Sequence, residues 1–316
     1  MSNSSIRFGG LALALCVAVS ACAAPNNAAT KPPGVARAQN TRGASVFDQL
    51  DAARRTRSDA VRTTPVTEQE KKLEAIWARF LADDPAWTAE REEWLRGGPA
   101  AQALLVENLL RTMVLARDAG EGRRFHRCRD ELVLQRELAT SYLVEALASG
   151  RGDSVTRNLC AETLAFFGES TVAAISAAWP DAATAGRRAL LVALKLLRSS
   201  QARGLLEQVA LSREDFTLRI EALDGLAKLA DVASTDVCVA CLEDADPSVR
   251  KFAAIAASHI GPGGGKLLPA VLAAWRKAEA AREIEVVNVL HRSARRLAGR
   301  EYGADPTRWP VEERRQ

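Results

Sequence analysis

The sequence predicts an all-α fold in which short helical hairpins stack on one another. Apolar residues make up 47% of the chain but aromatic residues only 5%, so the core consists mainly of alanine, leucine and valine, a mixture that favours helices. No stretch shows the sustained alternation of apolar and polar residues that marks a strand. A segment with helical spacing also recurs along the chain, and this recurrence is the strongest of the three observations.

The clearest copy of the recurring segment is Asp244–Gly261. Asp246 is placed to accept hydrogen bonds from the free N–H groups of a first helical turn, and Pro247 suits the first helical position. Gly261 can adopt the left-handed conformation that ends a helix. Small and branched apolar residues at three- and four-residue spacing form one face that a neighbouring helix can approach closely: Val249, Ala253, Ala256, Ala257 and Ile260.

The copies share an aspartate at the helix start and an arginine four residues later. The pairs are Asp246 with Arg250, Asp215 with Arg219 and Asp153 with Arg157, and a fourth copy has Ala183 with Arg187. Successive arginines are 30, 32 and 31 positions apart. A steady period of this length indicates a stacked array, because one short helix pair cannot bury its apolar face alone.

The pattern D-x-D-P-x-V-R-x-x-A-A that begins at Asp244 and ends in Ile-Gly resembles the second helix of HEAT repeats. The resemblance implies a right-handed α-solenoid with its second helices on the concave side. It also implies a ladder in which Arg250 pairs with Asp215, and which breaks where Arg219 would meet Ala183. The exposed polar residues of that side are candidates for protein binding, and equally for the ladder: Arg157, Arg219, Arg250 and Lys251.

Residues 1–21 are predicted to be a signal peptide, with Arg7 followed by an apolar run too short to span a bilayer. The run ends in Val19-Ser-Ala-Cys22, which resembles the bacterial lipobox. The resemblance implies cleavage before Cys22, lipidation of its thiol and anchoring in the cell envelope, at the outer membrane or the periplasmic face. The alternative is ordinary secretion with cleavage at another small residue. Cleavage would remove Arg7 and lower the net charge from +4 to +3. Neither this charge nor a location in the cell envelope favours a nucleic-acid partner.

Composition and spacing divide the rest of the chain. Residues 22–45 are rich in alanine, asparagine and proline and are predicted to be a disordered tether. Residues 46–148 are an N-terminal helical region, either a cap or degenerate repeats, in which Trp87 and Trp94 lie on one face and belong to the core. The repeats occupy residues 149–299. Their predicted first helices are Thr171–Trp179, Ser200–Leu211, Ser234–Glu243 and Gly265–Ala278, and Ile284–Leu297 is the last helix.

The tail, residues 300–316, contains Tyr302 and Trp309. Because the end of a helical array must be covered, these rings are expected to fold back over the last helix as a hydrophobic latch. A binding motif is the alternative.

The strongest candidate for a redox or metal-binding site is Cys238-Val-Ala-Cys241, at a predicted helix start. Such a pair can have a lowered thiol pKa and act in redox chemistry, or bind a metal together with His259. No strand–helix context of a redox protein surrounds it, and its spacing also suits two buried positions or a plain disulfide. The sequence therefore predicts a non-enzymatic, membrane-anchored scaffold without a cofactor, which binds an unknown envelope protein or peptide. The alternative is a periplasmic redox or metal-binding accessory protein that uses the cysteine pair.

Overall fold

The computed structural model describes residues 68–150 and 154–310, and in these ranges all regular secondary structure is helical. This confirms the predicted all-α fold. The predicted signal peptide, the tether, Cys22 and Asp153 lie outside the described residues. In chain order the helices are α1 Glu68–Leu81, α2 Trp87–Leu95, α3 Pro99–Asp118, α4 Gly122–Leu134, α5 Arg136–Ala148, α6 Ser154–Phe167, α7 Ser170–Ala178, α8 Thr184–Leu197, α9 Arg203–Ala210, α10 Phe216–Leu229, α11 Thr235–Leu242, α12 Pro247–Ile260, α13 Leu267–Ala280 and α14 Ile284–Ala298.

The chain divides into two compact units. Among the described residues, the first contains residues 68–129 and 154–156, and the second contains residues 130–150 and 157–310. In the first unit α2 packs against both α1 and α3. Its aromatic cluster joins Trp77, Phe80 and Trp87, with ring centroids 4.7 to 5.9 Å apart. Trp87 and Trp94 are buried, as predicted, and the Trp94 indole donates to the carbonyl of Ala101 at 2.7 Å.

The second unit is built from successive helical hairpins. The pairs α9–α10, α11–α12 and α13–α14 each pack together, and the second helices α8, α10, α12 and α14 each pack against the next in line. The first helices lie close to their predicted bounds. The main difference is at Ser200–Leu211, where a short 3₁₀ turn, Ser200–Ala202, precedes α9. The predicted stacking of helical hairpins is therefore confirmed in this unit.

Local capping explains where the second helices begin and end. The Asp246 carboxylate accepts from the N–H groups of Ser248 and Val249 at 2.7 and 3.2 Å, and Pro247 occupies the first turn. Asp215 caps α10 in the same way through the N–H of Thr217 at 2.8 Å. Gly261 ends α12 with a φ of +78°. All five predicted apolar residues of α12 are buried.

Small residues permit the closest helix contacts. Gly186 in α8 lies against the end of α5, where a Cβ atom would be 2.4 Å from the carbonyl oxygen of Ala148 and 2.5 Å from that of Leu147. Since both of these atoms are backbone, they cannot move aside as a flexible side chain would. Glycine is therefore required at this contact.

Within the described part of the tail, residues 300–310, Trp309 packs on the last hairpin. Trp309 is only 2% exposed and its ring lies 5.8 Å from that of Trp275 in α13. Its indole N–H donates to the carbonyl of Gly303 at 3.0 Å, and the ring of Tyr302 lies 5.2 Å away. The His291 ring of α14 also contacts Trp309, with centroids 5.9 Å apart. The last hairpin is thus covered by the tail.

Candidate functional site

The recurring arginines join each hairpin to the one that follows. Arg219 donates to the carboxylate of Asp244, which precedes α12, and its Nε donates to the carbonyl of Ala210 at 3.1 Å. Arg250 repeats the arrangement with the carboxylate of Glu283, which precedes α14. Each guanidinium therefore binds its own hairpin through a carbonyl and the next hairpin through an acid.

The predicted partners in this ladder were wrong. Arg250 pairs forward with Glu283 and not backward with Asp215, because Asp215 uses its carboxylate to cap its own helix. The predicted break at Ala183 does not occur either. Arg187 of that copy finds an acid in Glu214, which lies immediately before the cap of α10.

Most of the candidate protein-binding residues have internal partners. The side chains of Arg219 and Arg250 are each only 15% exposed. Lys251 forms an ion pair with Glu285 of α14 at 3.1 Å, and Arg157 donates to the carbonyl of Gly150 at 3.4 Å. Arg219 and Arg250 are therefore structural residues that hold consecutive hairpins in register.

The electrostatics of Asp244 agree with this structural role. Burial alone would raise its pKa, but hydrogen bonds from Arg219 and from the N–H of Asp246, with the nearby charges of Arg219 and Arg250, hold the pKa below its usual range. The carboxylate is thus charged at neutral pH and hydrogen-bonded to Arg219, while Arg250 donates to the backbone carbonyl of the same residue at 2.7 Å.

A second set of contacts, which the sequence did not indicate, joins the hairpins at their other end. The buried hydroxyl of Ser199 donates to Glu169 at 2.6 Å, and that of Ser234 donates to Glu207 at 2.8 Å. Each serine lies in the turn that follows a second helix, and each acid lies in or just before the preceding first helix. The only sequence signal is the recurrence of a serine in successive turns, and a serine in a turn is too common to indicate its partner.

The side chains that remain accessible form a surface on the second helices, which we call the second-helix face. They recur at three- and four-residue spacing and are half-buried or exposed. The members are Arg188, Val192 and Lys195 on α8; Glu221, Asp224 and Lys228 on α10; Lys251, Ile255 and His259 on α12; and Glu285, Val289, Arg292 and Arg296 on α14.

The first half of this face is electrically balanced by pairs between neighbouring helices. Lys195 lies 2.9 Å from Glu221 and 3.0 Å from Asp224, and Arg188 lies 3.4 Å from Glu221. Burial would lower the pKa of Lys195, but the hydrogen bonds to Glu221 and Asp224 raise it above its ordinary value. The basic residues of α8 are therefore neutralised by acids of the next second helix.

The last part of the face carries a groove of about 720 Å³ between α12 and α14, which we call the basic groove. Its lining residues are Ile255, Ser258 and His259 of α12; Val289, Arg292, Ser293, Arg295 and Arg296 of α14; and Gly299, Arg300 and Glu301 of the tail. The pKa of His259 is lowered, first by burial and then by the charges of Arg296 and Lys228, against a smaller opposite effect of Asp224. The groove is thus a region of positive potential.

The cysteine pair lies in a different environment from the one that redox chemistry requires. Cys238 and Cys241 are buried free thiols on α11. Burial raises the pKa of Cys238 to about 12 and that of Cys241 to about 11. A reactive thiol needs a lowered pKa and exposure, so these observations favour the structural interpretation of the pair.

Residues 68–150 and 154–310 contain no cluster of three or more histidine, cysteine or acidic side chains placed to hold a metal ion. In the same ranges no helix combines the length and the apolar character needed to cross a bilayer.

Comparison with known proteins agrees with the packing of the hairpins. A family model of HEAT repeats matches residues 203–290, which extend from the start of α9 into α14. No curated protein and no solved structure matches the chain. The matched segment contains the hairpins α9–α10 and α11–α12, helix α13 and the first half of α14, and residues 203–290 are therefore identified as similar to HEAT repeats.

Proposed function

We propose that this protein is a non-enzymatic scaffold that binds another protein along the second-helix face. HEAT repeats suggest such a role, because stacked hairpins present an extended surface whose neighbouring helices act together. The observation that carries the proposal is that one set of polar residues joins the hairpins and another set remains accessible on the surface. Arg219 and Arg250 join consecutive hairpins, whereas the second-helix face presents accessible side chains on the four second helices α8, α10, α12 and α14.

Site-specific photo-crosslinking in cells tests which surface is used. A photoreactive phenylalanine analogue is placed at Arg188 or Lys228 on the second-helix face, and at Gln208 or Arg276 on the first helices α9 and α13. All four positions are exposed. We expect a discrete covalent adduct with another protein from Arg188 or Lys228 and none from the two first-helix positions. Adducts from the first helices alone, or from no position, would contradict the proposal.

We further propose that the scaffold is anchored in the cell envelope through a lipid on Cys22. The lipobox-like residues Val19 to Cys22, which follow a short apolar run, support this location and this lipid anchor. Cells that express the protein and receive an alkyne-tagged fatty acid should label the full chain, and the Cys22→Ser variant should lose the label. Cys16→Ser is the matched control because Cys16 lies within the apolar run, and label that survives Cys22→Ser would refute the anchor.

A further inference from the structure

We propose that the basic groove binds an acidic peptide segment, whose carboxylates pair with the arginines of α14. The inference rests on the proposed scaffold function and adds to it the chemistry of the partner and the place where that partner is held. The segment that fits is one in which acidic residues alternate with small or branched apolar residues.

The arginines that line the groove have no acidic partner among the described residues. Within residues 68–150 and 154–310, the structure gives Arg292, Arg295, Arg296 and Arg300 no ion pair with a carboxylate. Arg292 donates to the carbonyl of Asn288 in its own helix at 3.2 Å, and the guanidinium of Arg300 lies 4.4 Å above the ring of Tyr302. In the part of the chain that the structure describes, the groove is thus lined by four guanidinium groups without a paired carboxylate.

The one carboxylate in the lining is already occupied. Glu301 binds His291 at 2.9 Å and accepts from the N–H groups of Tyr302 and Gly303 at 3.1 and 2.9 Å. These bonds hold the latch at the end of α14. Within the described residues, Glu301 therefore forms no ion pair with the arginines that line the groove.

The position of α14 in the array explains why the groove arginines are without carboxylate partners. On two of the three earlier second helices, a lysine receives its acid from the next second helix: Lys195 of α8 from Glu221 of α10, and Lys251 of α12 from Glu285 of α14. In the part of the chain that the structure describes, no further second helix follows α14. An acidic segment laid along α14 would supply the carboxylates that a following hairpin supplies elsewhere.

The lining also indicates what kind of anion fits. Ile255 and Val289 contribute apolar surface between the cations, which suits a peptide with alternating acidic and apolar side chains. The lining residues include no phenylalanine, tyrosine or tryptophan on which a nucleic-acid base could stack. Arginine binds carboxylates through paired hydrogen bonds. Helix-end stabilisation accounts for Arg295 and Arg296 in the last turn of α14, but not for Arg292 one turn earlier or for Arg300 beyond the helix.

The test measures binding of a fluorescein-labelled peptide of alternating glutamate and leucine to the purified full-length protein by fluorescence anisotropy. We expect saturable binding that weakens as salt is added, and no binding of the matched glutamine–leucine peptide. The Arg292→Gln/Arg296→Gln variant should lose about tenfold in affinity, which corresponds to two partly exposed ion pairs. Arg213→Gln/Arg276→Gln removes the same charge from exposed positions outside the groove and should change the affinity by less than about twofold.

A second readout uses the native sequence and does not depend on the stability of a variant. His259 faces Arg296, Lys228 and Asp224, and carboxylates that bind beside it should raise its lowered pKa, as followed by the NMR chemical shifts of its ring. A saturable complex that leaves the titration of His259 unchanged would place the peptide elsewhere and overturn the proposal.

Three further results would also overturn it. The first is that the acidic peptide does not bind at low salt. The second is that the two double variants lose the same affinity for the peptide. The third is that phosphatidylglycerol vesicles bind and the peptide does not. None of these results affects the crosslinks expected at Arg188 on α8, so the acidic-peptide inference can fail while the scaffold function stands. Absence of all crosslinks would remove the scaffold function itself.

Discussion

Arg219 of α10 donates to the carboxylate of Asp244 in the next hairpin while its Nε holds the carbonyl of Ala210 in its own. One guanidinium therefore binds the end of α9 in its own hairpin and the loop that precedes α12 in the next hairpin. Stability in a stacked array depends on contacts between nearest neighbours. A charged side chain with an exposed fraction of only 15% makes such a contact specific to one register.

We predict that this pair contributes measurably to stability. In a double-mutant cycle with Arg219→Ala and Asp244→Ala, each single variant should lose about 2 kcal/mol of unfolding free energy and the coupling should be about 1–2 kcal/mol. Urea denaturation followed by circular dichroism measures both. The matched pair Lys277 and Glu243 is 68% and 71% exposed and 3.5 Å apart, so its coupling should be near zero. Equal couplings for the two pairs would contradict the structural role of Arg219.

A second prediction concerns the close contact at Gly186. Alanine normally stabilises a helix relative to glycine by about 1 kcal/mol. At Gly186 the added Cβ would meet two backbone carbonyl oxygens of α5, so Gly186→Ala should instead destabilise the protein by about 2–4 kcal/mol. Gly204→Ala in α9 is the control, because a Cβ there would have no atom within 4 Å. It should be neutral or stabilising, and a similar loss in both variants would show that the contact with α5 is unimportant.

The helices were predictable from sequence because their signals are local. Asp246, Pro247 and Gly261 fix the two ends of α12 through contacts within a few residues, and its apolar stripe identifies the buried face. The period of the arginines likewise predicted the stacking. The latch was predictable because the end of an array must be covered, and Trp309 is the large apolar residue available.

The partners between hairpins were not predictable in the same way. Asp215 and Asp244 both precede a second helix, and only the packing decides that one caps its helix and the other meets Arg219. The basic groove was missed for a related reason. Arg292 and Arg296 are four residues apart and read as a solvated helix face, since the sequence does not tell which cations find an acid on the neighbouring helix.

The third prediction is that the cysteine pair of α11 is inert in the folded protein. Since burial raises the pKa of both thiols, to about 12 for Cys238 and about 11 for Cys241, the thiolate that reacts with electrophiles is scarce below pH 10. Iodoacetamide at pH 8 should label neither residue until urea unfolds the protein. Peptide-level mass spectrometry separates these two sites from Cys128 and Cys160. Rapid labelling of Cys238 or Cys241 without denaturant would revive the redox alternative.

The last prediction concerns the pH response of the latch. The pKa of Glu301 is lowered, chiefly by its hydrogen bond with His291 and also by the N–H groups of Gly303 and Tyr302. A carboxyl whose pKa is lower in the folded state stabilises that state fully above the ordinary value of 4.5, and the effect disappears as the pH falls through the lowered value. The tail should therefore loosen in acid.

The indole N–H signal of Trp309 reports this change, because that group donates to the carbonyl of Gly303 when the latch is closed. Its exchange with solvent, compared at matched intrinsic rates, should accelerate as the pH falls below 4.5. Asp305 titrates in the same direction, because hydrogen bonds from Thr307 lower its pKa. Glu301→Gln should weaken the pH response and Glu301→Gln/Asp305→Asn should abolish it. A response that persists in the double variant would mean that other carboxyl groups hold the tail on α14.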